Sequence, residues 1–596
     1  MTDTFLQAHD LPRAWARRRT FTLVDTQFRD GRAFLAAWAA WRADPARCER
    51  LHFVSAGSLA TLDRAPAADV EPLSALLANA WPMRVAGVHR LEFEAGCVVL
   101  TLVVGENADV LNKLWLRADA FNLRADHTAD PRALCKALAR VAADHATLAA
   151  EAQPTLQRAL EAAGFVCDPA PKAMLTARFA PRWRVRRHEP PVPAGIGGDR
   201  HAIVIGAGLA GCAVSARLAA RGWRVTLVDR HAEVARDASG NPAGVFHPIV
   251  WRDDSIAARL TRAAFLYALR HWSELEDAGH ELRRTRDGLL QIADSPDDAL
   301  AIADAIGRFG LPRDYAVAAT SEDASRIAGV EVARGGWFFP RGGAISPASV
   351  CAAQCAISDE RLTRRFGTEV ARVDHDGHAW RAFDSAGALI AQAPVVVLAN
   401  AHDAKRLAAL HGDPTRSVRG QLTILEDTPL DALRVPVIGD GYAVPLATHR
   451  TLTGATYDID STDREIRAAG HRENLERIAR MLPGSNPDAT QPFEGRVAFR
   501  CVTSDRMPMI GQLADETAAR ADAKRLSGAW PLDLPRAAGL YGAFAFGSRG
   551  LVWSALAAEL IASQIEGEPW PIERELAEAL DPARFLMRAL RHGDFT

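Results

Sequence analysis

The sequence has few of the features that mark a disulfide-stabilised, membrane-embedded or strongly charged protein. It has eight cysteines in 596 residues, without a C-x-x-C pair, and their scatter argues against a disulfide framework. Residues 1–10 lack an apolar signal core, and no run of eighteen apolar residues occurs. A net charge of −2 creates no general attraction to polyanions. We therefore expect a reduced, soluble, cytoplasmic protein that does not associate with membranes.

The chain is too long for one hydrophobic core, so its length predicts two to four domains. Residues 182–199 contain three prolines and three glycines without a periodic apolar pattern, which is typical of a linker. We place a front domain at 1–185, the linker at 186–199 and a rear domain at 200–596.

The front domain alternates short apolar segments with helical patterns. Strands are predicted at 21–25 and 51–55, a hairpin at 91–93 and 97–104, and helices at 32–41, 131–143 and 154–163. This alternation predicts an α/β layer with a parallel sheet.

The strongest motif opens the rear domain. A buried strand at 201–205 is followed by Gly206, Gly208 and Gly211 in a G-x-G-x-x-G turn, then by a helix and a second strand that ends at Asp229. The first glycine permits the tight turn, the second lets a pyrophosphate approach, and the third lets helix and strand pack closely. Asp229 can accept hydrogen bonds from ribose hydroxyls. The unit predicts dinucleotide binding.

Three later segments favour FAD over NAD. They are a loop with Ser239, Gly240 and Asn241, a V-V-x-A-like strand that reaches Ala399, and a turn with Gly547, Ser548, Gly550 and Leu551 before a helix. The N-terminus of that helix could face the flavin edge where negative charge collects on reduction. Each segment alone could be a glycine-rich turn without a ligand, but their order indicates FAD. No metal is expected.

The order of these elements resembles the D-amino-acid oxidase and glycine oxidase family. By that resemblance Arg500, within R-C-V-T-S-D-R-M-P-M-I-G, would pair with a substrate carboxylate. Tyr442 would contact the same carboxylate, and Arg549 would be a second basic group beside the flavin. A guanidinium suits this role because its planar fork forms two parallel hydrogen bonds. The alternative is that Arg500 and Arg549 hold loops or face solvent.

The whole chain resembles the MnmC family of two-domain tRNA-modifying enzymes, over residues 20–590 and with an expected shortening at the N-terminus. The segments that carry this resemblance are W-P-M at 81–83, R-L-H-F-V-S at 50–55, G-G-W at 335–337, G-A-T-Y at 454–457 and G-S-R-G-L at 547–551. The resemblance implies an α/β protein, with a Rossmann-like methyltransferase-type domain in front. Behind it would lie an FAD-binding domain of the glutathione-reductase type (200–285, 335–410 and 505–570) with an inserted mixed-sheet substrate part (286–334 and 411–504).

The implied reaction is oxidation of the wobble uridine of tRNA. FAD would remove the carboxymethyl group of 5-carboxymethylaminomethyluridine, often 2-thiolated, as glyoxylate and leave 5-aminomethyluridine. The modified side chain is an N-substituted glycine, which suits a glycine-oxidase fold. Two alternatives remain open: a small-molecule glycine or sarcosine-type amine oxidase, and a tRNA-binding protein that uses FAD structurally.

The front domain departs from the family at the motifs that bind S-adenosylmethionine and catalyse methylation. Gln27 and Arg29 stand where the cofactor loop has glycines, Gly57 replaces the acidic ribose ligand, and Arg124 replaces the essential aspartate. We therefore expect methylation to be lost and the domain to act as a scaffold. Asp126 could be a shifted carboxylate, but we favour a solvated loop residue. Its G-G-T strand entry aligns near 144–147.

Basic residues could dock tRNA in place of the lost activity. They cluster at Arg13, Arg17, Arg18 and Arg19, and again at Arg178, Arg182, Arg184, Arg186 and Arg187. Such clusters could neutralise phosphates, although a solvated basic face is the alternative.

Overall fold

The computed structural model divides into two compact units. It describes residues 2–63, 72–105, 110–124, 130–168, 174–182, 199–251, 253–410, 414–447, 449–485, 492–526 and 528–593. The first unit comprises Met1–Gly195 and Ser563–Ala577, and the second comprises Ile196–Ala562 and Glu578–Thr596. Most of the expected linker, residues 186–198, lies outside the described residues.

The first unit is built on an eight-stranded mixed sheet. Its strands are β1 (Thr20–Asp25), β2 (Arg50–Gly57), β3 (Gly87–Phe93), β4 (Val98–Val104), β5 (Ala118–Leu123), β6 (Ala142–Glu151), β7 (Phe165–Cys167) and β8 (Met174–Phe179), in the order β3-β4-β2-β1-β5-β6-β8-β7. The run from β4 to β6 is parallel. The antiparallel pair β3–β4 is the predicted hairpin. The antiparallel strands β8 and β7 at the other edge depart from the predicted parallel sheet.

Helices and two apolar clusters complete this unit. The helices are α1 (Thr2–Ala8), α2 (Arg32–Ala43), α3 (Leu59–Leu62), α4 (Leu73–Asn79), α5 (Val110–Lys113), α6 (Pro131–Val141) and α7 (Pro154–Ala162). One cluster includes Phe34 and Trp38 of α2 with Phe53, and the other includes Leu138 of α6 with Phe121. The helix predicted at 131–143 ends at Val141 because the chain turns there directly into β6.

The second unit contains four sheets. Its strands are β9 (His201–Ile205), β10 (Arg224–Val228), β11 (Gly244–Phe246), β12 (Leu289–Ile292), β13 (Val317–Ala319), β14 (Gly336–Phe339), β15 (Gly343–Ile345), β16 (Leu362–Arg365), β17 (Arg372–His375), β18 (Trp380–Phe383), β19 (Leu389–Ala393), β20 (Val395–Leu398), β21 (Thr415–Glu426), β22 (Val437–Gly439), β23 (Gly441–Ala447), β24 (Arg450–Gly454), β25 (Asp458–Ile459), β26 (Glu494–Thr503), β27 (Met509–Ala514) and β28 (Arg536–Phe544). The nucleotide-type sheet has the order β16-β10-β9-β20-β28-β27, parallel except for β27. A nine-stranded sheet has the order β13-β14-β12-β22-β23-β24-β21-β25, with β26 on β21. Smaller sheets are β11-β15 and β17-β18-β19.

The remaining helices follow β9 along the chain. They are α8 (Leu209–Ala219), α9 (Ile256–Asp277), α10 (Pro296–Phe309), α11 (Ser321–Ala328), α12 (Pro347–Ile357), α13 (Ala404–Leu407), α14 (Ala468–Met481), α15 (Glu516–Ala521), α16 (Ala523–Leu526), α17 (Gly550–Glu566), α18 (Arg574–Leu580) and α19 (Arg584–Arg591). The end of α17 and the start of α18 belong to the first unit. Among the described helices, none combines the length and apolar character that crossing a bilayer requires.

Candidate active site

The glycine-rich turn lies between β9 and α8. Strands β9 and β10 are parallel, so Gly206 and Asp229 follow neighbouring strands at one edge of the sheet. Gly206 has φ = +106°, and a Cβ added there would lie 2.6 Å from the carbonyl oxygen of Ala399. A Cβ on Gly211 would lie 1.7 Å from the carbonyl oxygen of Gly206. Neither position accepts a larger residue without a shift of the backbone.

Two side chains hold this turn from outside. Ser239 Oγ accepts a hydrogen bond from the Leu209 amide at 3.1 Å, and a Cβ on Gly208 would lie 2.9 Å from the same oxygen. Asp229 accepts one from the Ala207 amide at 2.7 Å and one from the His231 amide at 2.8 Å. A carboxylate oxygen keeps a second lone pair when it accepts one hydrogen bond, so Asp229 can also accept a ribose hydroxyl.

A cavity of about 1060 Å³ brings the candidate residues together. Its wall contains all three candidates for substrate contact and ten of the twelve for cofactor contact: Arg500, Tyr442, Arg549, Gly206, Gly208, Asp229, Ser239, Asn241, Ala399, Gly547, Ser548, Gly550 and Leu551. Gly211 and Gly240 are not among the residues of the wall. Gly240 has a packing role instead, because a Cβ there would lie 2.5 Å from Arg496 Nη2 and from the Ala235 carbonyl oxygen.

The turn before α17 forms another part of the wall. Gly547 has φ = +58°, and its amide donates to the Cys501 carbonyl oxygen at 2.9 Å. Gly550 and Leu551, the first residues of α17, lie in the wall. A helix start carries partial positive charge and amide groups without intrahelical partners, so this end of the cavity suits a group that becomes negative.

Arg500 and Tyr442 reach the cavity from the nine-stranded sheet. Arg500 Nη1 lies 3.4 Å from the Thr456 carbonyl oxygen, to which it donates. A Cβ on Gly420 would lie 2.8–2.9 Å from three atoms of the guanidinium, so only glycine leaves room for it. Burial raises the pKa of Tyr442 to about 12, although the charge of Arg500 acts in the opposite direction. Tyr442 is therefore a neutral phenol at ordinary pH, able to donate a hydrogen bond to a carboxylate.

Arg549 contacts His247, which the sequence motifs did not indicate. Arg549 Nη1 lies 3.3 Å from the His247 carbonyl oxygen and 3.5 Å from its Nε2. Burial lowers the pKa of Arg549 to about 10. Burial and the charge of Arg549 hold the pKa of His247 well below its usual value, so the ring is neutral. Its Nδ1 lies 2.9 Å from the Pro248 carbonyl oxygen and must donate, which leaves Nε2 as the acceptor for Arg549.

Arg496 is a further wall residue that sequence reasoning missed. Its Nη2 donates to the carbonyl oxygens of Arg236 and Asp237 at 2.7 and 2.8 Å, and its Nε donates to Asn241 Oδ1 at 3.3 Å. It thereby fixes the loop that carries the predicted cofactor residues. Its spacing from Arg500 could have revealed it, because side chains four residues apart on a strand share a face.

The front unit has its own polar group at the carboxyl ends of β1 and β5. Asn122 Nδ2 donates to Asp25 Oδ2 at 3.0 Å, and Arg124 Nε lies 3.5 Å from Asp25 Oδ1. Burial raises the pKa of Asp25, while the charge of Arg124 acts against that rise. Arg29, with φ = +50°, donates from Nε to Gln27 Oε1 at 3.3 Å. The residues that replace the family motifs thus contact the unit's own polar groups. Asp126 lies outside the described residues.

The first basic cluster is partly neutralised. Arg18 donates to Asp119 at 2.6 Å, Arg19 pairs with Glu566, and Arg13 lies 3.8 Å from Asp10. Arg184, Arg186 and Arg187 of the second cluster lie outside the described residues. Asp119 and Glu566 would therefore compete with tRNA phosphates for Arg18 and Arg19. The sequence around the two arginines does not reveal these partners.

Comparison with known proteins shows which family the chain resembles. Residues 201–564 match the family model described as FAD dependent oxidoreductase. Over 99% of its length the chain is 58% identical to the tRNA 5-methylaminomethyl-2-thiouridine biosynthesis bifunctional protein MnmC of Paraburkholderia phymatum, covering 93% of that protein. The MnmC protein of Burkholderia thailandensis is 54% identical over the same share of the chain and of the relative.

The chain belongs to the MnmC family. The family resemblance inferred from the sequence is confirmed over nearly the whole chain, and so is the mixed α/β class. Among solved structures, glycine oxidase from Geobacillus kaustophilus matches 62% of this chain and 95% of its own at 22% identity and a TM-score of 0.50. L-proline dehydrogenase from P. horikoshii matches 65% of this chain and 98% of its own at 18% identity and a TM-score of 0.52. These two likenesses establish the fold of the rear part.

FAD is the cofactor of this member of the FAD-dependent oxidoreductases, as the sequence predicted. The residues present fit it. A cavity of about 1060 Å³ has one wall where added Cβ atoms on Gly206 and Gly208 would crowd the turn, and another wall formed by the start of α17. Its volume is at the upper end of small-molecule sites, as a dinucleotide and a substrate together require.

Proposed function

We propose that this protein oxidises the carboxymethylaminomethyl group of uridine 34 in tRNA. It removes the carboxymethyl group of 5-carboxymethylaminomethyl(-2-thio)uridine and leaves 5-aminomethyl(-2-thio)uridine. Two observations support this. The chain is 54–58% identical to proteins named for tRNA 5-methylaminomethyl-2-thiouridine biosynthesis. Arg500 and Tyr442, which can bind a carboxylate, line the same cavity as the dinucleotide turn. The substrate is a secondary amine in cytoplasmic tRNA, and its amine carries a glycine-like carboxylate.

The substrate carboxylate is bound by Arg500 and Tyr442. Among the described residues, the hydrogen bond of Arg500 is a long one, of 3.4 Å, to Thr456, so other N–H groups of its fork can meet a carboxylate. The neutral phenol of Tyr442 adds a donor at the same wall. When bound, FAD would supply the acceptor for the hydride of the glycine-type methylene, which carries both electrons of the oxidation. The wall residues orient that methylene. Loss of the hydride leaves a protonated imine, which one water molecule hydrolyses to glyoxylate and the aminomethyl group.

Arg549 and His247 support the cofactor side of the cavity. Both are wall residues, and the neutral imidazole accepts from a guanidinium that burial makes less basic. A cation here favours the negative charge that a bound group gains when it accepts electrons. No proton-abstracting side chain is needed if the amine enters neutral, so we assign no general base.

We further propose that the methylation step of the family is absent. Arg124 forms an ion pair with Asp25 at 3.5 Å, and Gln27 bonds Arg29, at the sheet edge where the family motifs place cofactor and catalytic groups. A Cβ on Gly57, at the position of the family's ribose ligand, would lie 3.0 Å from Thr61 Oγ1. In this proposal residues 1–185 are a scaffold, 186–199 a linker and 200–596 the oxidoreductase.

Purified protein and modified tRNA test both parts of the proposal. Mass spectrometry of nucleosides should show conversion of the carboxymethylaminomethyl to the aminomethyl form with release of glyoxylate. Adding S-adenosylmethionine should give no methylaminomethyl product. Turnover of free glycine or sarcosine with untouched tRNA would favour a small-molecule oxidase, and tRNA binding without turnover would favour a structural role for FAD.

A further inference from the structure

An exposed tyrosine stands beside the carboxylate anchor and has no role so far. Tyr457 ends the G-A-T-Y segment, and 51% of its surface is exposed. The centroid of its ring lies 6.0 Å from Cζ of Arg500. The preceding residue, Thr456, provides the carbonyl oxygen that receives Arg500 Nη1. Ring and anchor are thus set by one short stretch of chain.

The backbone on both sides of Tyr457 is fixed, although its ring is exposed. Thr456 exchanges two hydrogen bonds with the buried Gln421: the Gln421 amide donates to Thr456 Oγ1 at 3.0 Å, and the Thr456 amide donates to the Gln421 carbonyl oxygen at 3.3 Å. On the other side, Asp458 Oδ2 accepts from Nη1 of the buried Arg419 at 3.0 Å. An aromatic ring on a rigid support presents a flat contact surface at low entropic cost.

We propose that Tyr457 is the platform on which the pyrimidine ring of the substrate nucleoside stacks. This inference rests on the proposed function, since only a substrate with a base attached to its glycine-type chain needs such a surface. The chain from C5 of the base to the carboxylate carbon has four bonds and spans roughly 5 Å when extended. A carboxylate bound to Arg500 therefore leaves the base within reach of the Tyr457 ring.

The neighbouring rim suits an RNA strand. Arg464 and Phe499 are both in the cavity wall, and Cζ of Arg464 lies 5.4 Å from the centroid of the Phe499 ring. A cation and aromatic faces beside a cavity are the elements that bind single-stranded nucleic acid, where bases stack and phosphates are neutralised. Tyr457 is the exposed aromatic that adjoins Arg500, so we assign it to the target base.

Variants at one position separate stacking from simple apolar contact. Tyr457→Phe keeps the ring, and Tyr457→Leu keeps an apolar side chain without a π face. Ile459→Ala is the matched control, because Ile459 is also apolar, 55% exposed and on the same segment. Each variant is assayed with an anticodon stem–loop that carries 5-carboxymethylaminomethyluridine and with N-ethylglycine, which has the carboxylate and amine but no base.

We expect Tyr457→Leu to lose roughly 5- to 100-fold in kcat/KM on the stem–loop, the range of one base–aromatic stack, and to bind the product stem–loop correspondingly more weakly. Tyr457→Phe and Ile459→Ala should stay within about threefold of wild type, and N-ethylglycine oxidation should change less than about twofold in all three, because they leave Arg500 in place.

Failure of this inference can be told from failure of the proposed function. A wild-type protein that oxidises N-ethylglycine but not the stem–loop overturns the proposed function and the platform with it. A wild-type protein that is active on the stem–loop, with Tyr457→Leu equally active, overturns the platform alone. Equal losses of Tyr457→Leu on both substrates would show that the ring supports Arg500 rather than the base, which also overturns it.

Discussion

Replacing Arg500 tests the carboxylate anchor. Arg500→Ala removes a guanidinium that lies over Gly420 and donates one long hydrogen bond to Thr456. Charge-assisted hydrogen bonds contribute about 1.5–3 kcal/mol each, and about 1.4 kcal/mol corresponds to a tenfold change. The loss of one such bond predicts a fall of about 10- to 100-fold in kcat/KM. The loss of two predicts a larger fall, which the remaining hydrogen bond from Tyr442 to the carboxylate would reduce. Arg500→Lys keeps the charge but lacks the planar fork, so its kcat/KM should lie between those of wild type and Arg500→Ala.

The assay measures glyoxylate release from modified tRNA together with FAD content. The FAD content should be unchanged, because Arg500 reaches the cavity from β26 and not from the glycine-rich turn. Arg416→Ala is the control, since Arg416 is an exposed arginine of the adjacent strand, opposite Val502. A carboxylate-free N-alkyl amine should bind wild type and Arg500→Ala equally poorly. Wild-type kinetics in Arg500→Ala, or loss of the flavin, would refute the assignment.

Three further predictions concern Gly420 beside Arg500, Gly211 in the glycine-rich turn, and the Arg124–Asp25 pair of the front unit. Gly420→Ala should displace the Arg500 guanidinium, because the new Cβ would lie 2.8–2.9 Å from it, and should lower kcat/KM roughly 10- to 100-fold. Unchanged activity with normal FAD content would contradict this, and thermal melting checks that the variant is folded. Gly211→Ala should yield protein with little flavin absorbance and a lower Tm, because its Cβ would lie 1.7 Å from the Gly206 carbonyl oxygen; full flavin occupancy would be inconsistent with that packing. Calorimetry should detect no S-adenosylmethionine binding, since Arg124 pairs with Asp25; a micromolar Kd would overturn the proposed loss of methylation.

Local patterns were sufficient to predict the dinucleotide-type unit. The strand at His201–Ile205 occurs at the predicted residues, and the second strand differs from its prediction by one residue. Both succeed because a buried strand, a glycine turn and a helix follow one another within thirty residues or so, where side-chain periodicity and turn chemistry decide the structure.

Contacts between residues distant in sequence could not be predicted in the same way. Nothing near Arg18 in the sequence reveals that it pairs with Asp119. Nothing near Gly206 reveals that the Ala399 carbonyl oxygen leaves no room for a side chain at that position. Likewise His247 carries no motif, and only the fold brings it to Arg549. The hairpin predicted at 91–93 and 97–104 is the antiparallel pair β3–β4. The antiparallel strands β8 and β7 at the other edge were missed, because strand direction depends on which strands pair, and alternation of strands and helices does not specify that.

We propose that the cavity oxidises an N-carboxymethyl group that is attached to a tRNA base. Anaerobic mixing of the FAD-loaded protein with fully modified tRNA tests it most directly, by following flavin absorbance, glyoxylate and the nucleoside in one sample. We expect bleaching of the flavin, with one glyoxylate and one 5-aminomethyluridine formed for each flavin reduced. Flavin that stays oxidised with this tRNA but is reduced by free glycine or sarcosine would contradict it.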